Sequence, residues 1–308
     1  VYKRQLLYIR IYLLGMPVIL LYNFEAAIFR SIGETKMPLE ALAVSGVLNV
    51  ALNLFFVIVL KMTVNGVAIA TVIANVVSSA ILCFKLMKSD KVVRLDIKEL
   101  KFDKNIFVKI MQIGLPAGVQ SAVFAIANIV IQSAINSLGT VVIAASSAAF
   151  NIEILAYYVL NSFSQACTTF VGQNYGAGDV KRCKKTLILC LIEDAIASAS
   201  AIVLILICGK SLLSIFSSDP QVIEIGYTRL LLVFSAYTFT MLYENISGYL
   251  RGFGISLVPA ILTIIGVCVV RVIWIYTVFP KSRTFSTIMM AYPCLLYTSP
   301  SPRDGLLS

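Results

Sequence analysis

The chain has 308 residues, 59% of them hydrophobic and 13% charged, with a formal net charge of +10 and no histidine. Soluble domains carry about 25% charged residues, so this balance, with a mean hydropathy of +0.92, excludes an ordinary soluble core and places the chain in lipid. The positive charge does not point to nucleic acid, because the basic residues lie in short loops between apolar runs, and the missing histidine excludes imidazole switches and His-ligated metal sites.

The two ends read as foreign. Val1-Tyr2-Lys3-Arg4-Gln5 and Cys294-Leu295-Leu296-Tyr297-Thr298 back-translate into strings that are reverse complements of each other, resembling the two orientations of a transposase adaptor. Residues 1–5 and 294–308 are therefore expected to be adaptor scars, leaving 6–293 as an internal fragment of a longer protein.

A spanning helix needs about 20 mostly apolar residues. Apolar runs predict eight spans, at 6–29, 39–60, 64–87, 110–136, 143–170, 187–208, 223–249 and 257–279, and a ninth begins near Phe285. The breaks carry turn chemistry: Gly33-Glu34-Thr35-Lys36, Asn65-Gly66, Gly176-Ala177-Gly178-Asp179, Asp219-Pro220 and Pro280. This divides the fragment into three helices over 6–87, a polar linker over 88–109, and five helices with the start of a sixth over 110–293. The single cysteines form no CxxC pair and read as small apolar packing residues.

Loop charge sets the orientation. Alternate loops hold Arg30 and Lys36, eight basic residues from Lys85 to Lys109, then Lys181, Arg182, Lys184 and Lys185, then Arg251; the opposite loops hold Lys61, Lys210, Lys281 and Arg283. The first set is expected to face the cytoplasm of a multi-pass plasma-membrane protein. Tyr22, Arg30, Gly33 and Pro38 recur as Tyr243, Arg251, Gly254 and Pro259, each 221 positions on. Six spans separate the copies, an even number, so both run the same way and the repeat is parallel. The expected fold is all-α and polytopic: two six-helix bundles related by a parallel repeat, the first truncated.

Val171-Gly172-Gln173-Asn174-Tyr175-Gly176-Ala177-Gly178-Asp179 resembles the glycine turn of multidrug and toxic compound extrusion (MATE) transporters. Gly114-Leu115-Pro116-Ala117 and Leu250-Arg251-Gly252-Phe253-Gly254, followed by Pro259, resemble further segments of that family in order and spacing. The resemblance covers nearly all of 6–293 and makes the visible helices the family's fourth to eleventh. It implies a bacterial inner-membrane antiporter that exports small cationic amphiphiles by alternating access, driven by H⁺ or Na⁺, acting as a monomer in membrane lipid without nucleic acid. Gly172, Gly176, Gly178, Gly33, Gly254 and Pro116 read as turn or hinge positions. The glycine turn is no phosphate loop, since no Gly-Lys-Ser/Thr follows it. With no metal cluster or catalytic triad either, the chain reads as a non-enzyme without a cofactor.

Charge inside a span costs about 2.5–3.5 kcal/mol on insertion scales and marks function by default. Glu25, Glu153, Glu193, Asp194, Glu244 and Arg271 qualify, and Arg271 needs a partner, expected to be Glu153 or Glu244. The cation-coupling candidates are Glu244, Tyr243, Glu153 and Arg271; Glu244 leads because its helix resembles a coupling helix of the family. Gln120, Asn128, Gln132 and Asn136 are spaced by multiples of four and make a polar stripe, as do Asn49 and Asn53. In lipid these amides face protein or water, as interhelical glue or as a substrate-cavity wall with Tyr157 for stacking on a cation. Some family members carry an acidic residue near Phe124, and this chain does not. The alternatives are a lipid-linked oligosaccharide flippase of the same superfamily, which wants a basic cavity where only Arg271 offers a cation, and a non-transporting receptor or channel.

Overall fold

The computed structural model describes residues 2–89, 93–96, 98 and 100–292, with the backbone alone at 2–5. The expected scar at 294–308 lies outside the described residues. Every regular element among them is helical. The chain groups into two compact units, divided in sequence between Phe102 and Asp103.

The first unit holds α1 (Tyr2–Ser31), α2 (Lys36–Leu54, continued by a π turn over Phe55–Val59) and α3 (Val64–Met87). The second holds α4 (Lys104–Asn136), α5 (Thr140–Gly176), α6 (Val180–Ser214), α7 (Pro220–Ser235), α8 (Tyr237–Gly252), α9 (Leu257–Thr263), α10 (Val270–Thr277) and α11 (Phe285–Met289). A π turn over Ile264–Val269 joins α9 to α10. Seven segments among the described residues are long and apolar enough to cross a membrane, and the α7–α8 pair, bent by 49°, makes an eighth if counted as one span. The seventh predicted span, 223–249, is therefore a broken helix rather than a straight one.

The chain is a multi-pass membrane protein, and its surface shows the reason. Leu14, Val47, Ile207 and Ile215 are 82%, 73%, 76% and 75% exposed, apolar faces that water would not tolerate in such number but acyl chains do. Inside, the helices meet through small residues: Gly66, Ala68, Ala70, Ala74, Ser78 and Ser79 of α3, and Ala145, Ser146, Ala148, Ala149, Ala156 and Ser164 of α5, are all buried. Lipid tails offer no hydrophobic drive for helix association, so close backbone approach, dispersion and interhelical hydrogen bonds supply it.

The α5–α8 crossing is one tight case. Ser164 Oγ donates to the Glu244 carbonyl at 2.7 Å, and Thr168 Oγ1 donates to the Gly248 carbonyl at 2.9 Å. A methyl added at Gly248 would lie 2.5 Å from the Ser164 carbonyl oxygen, whereas one added at Gly46 meets nothing within 4 Å. Gly248→Ala in the full-length protein is expected to cost about 1–3 kcal/mol, and Gly46→Ala nothing. Denaturation of the two purified variants in detergent checks this; equal stability would mean that the crossing is loose.

Local chemistry sets the helix ends. Asp103 Oδ1 accepts from the Asn105 and Ile106 amides at 2.7 and 3.1 Å, Asp179 Oδ1 from Arg182 at 2.9 Å, and Asp219 Oδ1 from Gln221 at 2.8 Å with Pro220 following. Gly33, Gly178 and Gly254 have φ of 79°, 80° and 80°, the left-handed conformation that closes a helix. Gly172 and Gly176 do not share this role: α5 runs through Gly172 and ends at Gly176, so of that glycine-rich turn only Gly178 needs its freedom. Pro116 likewise stands inside α4, not at its start. It has no N–H for the Gln112 carbonyl, and Ser256 Oγ donates to Gln112 and Ile113 carbonyls at 3.3 and 2.8 Å in compensation.

The repeated residues adopt repeated conformations. Gly33 N donates to the Arg30 carbonyl at 2.9 Å and Glu34 N to Phe29 at 3.0 Å; Gly254 N donates to Arg251 at 2.9 Å and Ile255 N to Leu250 at 3.0 Å. Tyr22 Oη donates to the Pro38 carbonyl at 3.3 Å, and Tyr243 Oη to the Pro259 carbonyl at 3.4 Å. The flanking boundaries, Ser31 with Gly252 and Lys36 with Leu257, keep the same 221-residue separation.

Candidate functional site

The second unit holds three polar clusters inside its apolar helices. The first joins α4, α8 and α9. Gln120 Nε2 donates to Tyr243 Oη at 3.1 Å and to Thr263 Oγ1 at 3.0 Å, while the Tyr243 and Thr263 hydroxyls bond each other. Thr263 Oγ1 also donates to the Pro259 carbonyl at 2.8 Å. Glu244 follows Tyr243 and is half buried. Its carbonyl is taken by Ser164, and its carboxylate lies within electrostatic reach of Tyr157, Tyr243 and Arg251. Tyr157 packs partly buried against the core.

The second cluster joins α5 and α7. Arg229 Nε and Nη2 donate to Glu153 Oε2 at 3.1 and 2.9 Å, and Nη1 donates to Ser146 Oγ at 2.6 Å. The Arg229 side chain is 4% exposed and that of Glu153 14%. This corrects the expected pairing: Glu153 serves Arg229, and Arg271 pairs with no carboxylate among the described residues. The Arg271 guanidinium instead sits 4.2 Å from the Tyr292 ring centroid and 5.4 Å from that of Phe124, with Nε and Nη1 buried and unbonded among the described residues. Ring faces hold a guanidinium by their quadrupoles, so Phe124 and Tyr292 stand where Glu153 or Glu244 was expected. Arg229 is a second intramembrane cation that the sequence reading missed. The signal was present, a charge within the run 223–249, but its depth depended on the bend between α7 and α8.

The third cluster joins α6 and α8. Asp194 is fully buried, and Ser198 Oγ donates to its Oδ1 at 2.6 Å while Asn245 Nδ2 donates to its Oδ2 at 2.5 Å. Asn245, also fully buried, spends its other amide hydrogen on the Met241 carbonyl at 3.0 Å, and its Oδ1 has no partner among the described residues. Glu193, beside Asp194, points outward.

The polar stripe on α4 does not act as one wall. Gln120 reaches Tyr243, but Gln132 donates to Asn136 at 2.9 Å near the exposed far end, and Asn128 lies half buried between them. In the first unit Asn53 Nδ2 donates to Asn49 Oδ1 at 2.9 Å and Asn49 Nδ2 to Thr71 Oγ1 at 3.4 Å, linking α2 to α3. Glu25 there is buried and accepts from Ser79 Oγ at 2.9 Å.

The MatE family model matches residues 116–277, and a model described as Lipid II flippase MurJ matches residues 6–139. Probable multidrug resistance protein YpnP of Bacillus subtilis is 27% identical over 86% of this chain and 59% of its own length. Probable multidrug resistance protein NorM of Thermotoga maritima is 24% identical over 86% of this chain and 58% of its own. The chain thus spans well under two thirds of these relatives. Among solved structures, a MOP-superfamily transporter from Pyrococcus furiosus superposes with a TM-score of 0.86 at 23% identity, over 94% of this chain and 65% of that one. A multidrug resistance MATE family transporter in an outward-facing conformation gives 0.84 at 22%, over 93% and 64%.

Proposed function

We propose, from the premise that the chain belongs to the MatE family, a family of transporters rather than enzymes, that the full-length protein exports organic cations in exchange for H⁺ or Na⁺ by alternating access. A carboxylate inside a membrane helix carries this reading. Glu244 stands in an apolar helix beside the Tyr243–Gln120–Thr263 cluster with no bonded cation among the described residues, and charge so placed is costly unless it is used. Neutralised by H⁺ or Na⁺, the carboxylate sits comfortably; vacated, it attracts the next cation or a cationic substrate. Tyr157 offers a ring to such a substrate. Export of a fluorescent cation from reconstituted vesicles, with and without an imposed H⁺ or Na⁺ gradient, tests the proposal, and indifference to both gradients would defeat it.

The basic loops at 85–109 and 181–185 face the cytoplasm of the plasma membrane in this reading. Ser89→Cys, in a background without native cysteines, is expected to resist an impermeant maleimide in intact cells and to react after permeabilisation. Labelling from outside would reverse the topology.

The MurJ match over 6–139 favours a second reading, a flippase for a lipid-linked anionic substrate. Arg271 would then supply the cation for such a headgroup. Transport of an anionic lipid in the same vesicles, with no cation export, would decide for it.

A further inference from the structure

Asp194 sits where an ionised carboxylate is hardest to keep. It is fully enclosed by α6 and α8, and its two bonded partners, Ser198 and Asn245, are both neutral. Enclosing an isolated charge costs several kcal/mol, which in folded proteins is met by a paired cation or by a proton. Among the described residues no Lys or Arg pairs with Asp194. Arg229 of α7 turns inward but is held by Glu153 and Ser146 on α5. The other titratable groups within electrostatic reach among the described residues are Cys190, one turn earlier and a free thiol, and Tyr237 at the start of α8; Glu193 points away. None of them is a cation.

On the same stretch of α8 the Tyr237 hydroxyl and Asn245 Oδ1 are both buried with no partner among the described residues. The Tyr237 hydroxyl is within electrostatic reach of Glu153, Asp194 and Glu244 together. Buried groups of this kind that lack a protein partner are places where a proton or a water is accommodated.

We propose that Asp194, Ser198 and Asn245 form a proton-binding site in the second unit, separate from Glu244, that loads and releases one H⁺ during the transport cycle. In the loaded form the carboxyl O–H on Oδ1 donates to Ser198 Oγ, which turns its own hydrogen elsewhere, and Asn245 Nδ2 keeps its bond to Oδ2. In the empty form Ser198 donates to Oδ1 instead. Only hydrogens move, so the site exchanges its proton without displacing heavy atoms. The site's use in transport rests on the antiport reading; its occupancy by a proton does not.

Infrared difference spectroscopy on the purified full-length protein separates the two. The expected result is a protonated-carboxyl band that rises and falls as pH is cycled between about 5 and 9, disappears in Asp194→Asn and persists in Glu244→Gln. Ser198→Ala, which removes one bond partner and keeps the carboxyl, is expected to shift the band without abolishing it, and stands in should Asp194→Asn not fold. A band unaffected by both changes, or no pH-responsive carboxyl band, overturns the proposal. A response to Na⁺ at constant pH in place of the pH response also overturns it, assigning the site to a metal ion. If the band behaves as expected while vesicles show no ion-driven export, the proton site stands and the antiport reading falls.

Discussion

Arg229→Gln is expected to destabilise the full-length protein by about 3–5 kcal/mol, the range found when one member of a buried ion pair is removed. The size follows from what is left behind. Arg229 makes three bonds, two to Glu153 Oε2 and one to Ser146, and no other cation bonds Glu153 among the described residues. Without the guanidinium, the Glu153 carboxylate is an uncompensated charge between α5 and α7. The double variant Glu153→Gln/Arg229→Gln removes both charges and is expected to recover most of the loss, because two amides can bond each other and Ser146. Denaturation of the two variants in detergent, against the unaltered protein, checks this. A double variant as unstable as the single one would mean that the packing of the Arg229 stem, rather than its charge, matters.

The second large effect concerns transport. Glu244→Gln keeps size and hydrogen-bonding capacity and removes only the charge that a coupling cation needs. In reconstituted vesicles ion-driven export is expected to fall to the level of vesicles without protein, while insertion and the folded state persist. The bonds of Tyr243 and Gln120 to each other and to Thr263 do not involve the Glu244 side chain, so a folding defect is not expected. Export at the unaltered rate would make Glu244 an interfacial residue and move coupling to another carboxylate.

The spans were legible because lipid enforces two constraints at once, apolar side chains and satisfied backbone, and both leave marks in sequence. The repeat was legible because the corner after α1 and the corner after α8 need the same chemistry: a left-handed glycine, and a tyrosine that reaches the carbonyl of the following proline. Pairings between helices were not. Choosing Arg229 over Arg271 for Glu153 requires the rotational phase of each helix, and successive residues on a helix differ by about 100° in direction. The same uncertainty hid Asn245. It adjoins Glu244, which drew attention by its charge, yet Asn245 is the side chain that turns fully inward and meets Asp194. Neutral partners of buried charges carry no compositional signal, so sequence reasoning finds the charge and not its setting. Arg271 shows the converse: its neighbours are rings, common in any membrane helix and distinctive only once a guanidinium is seen over them.

The break between α7 and α8 divides what hydropathy shows as one rod into two parts with different loyalties. At the seam Ala236 N reaches back to Val233, 3.1 Å away, a tighter turn than the regular ladder, and the continuous run of backbone bonds stops there. The half before the seam is anchored by charge to α5; the half after it is anchored by hydroxyls and amides to α4, α6 and α9, and by close backbone approach to α5. A helix with an intact ladder behaves as a stiff beam and passes a tilt from one end to the other. This one is two short beams meeting at a joint, so a tilt of one half is not carried rigidly into the other.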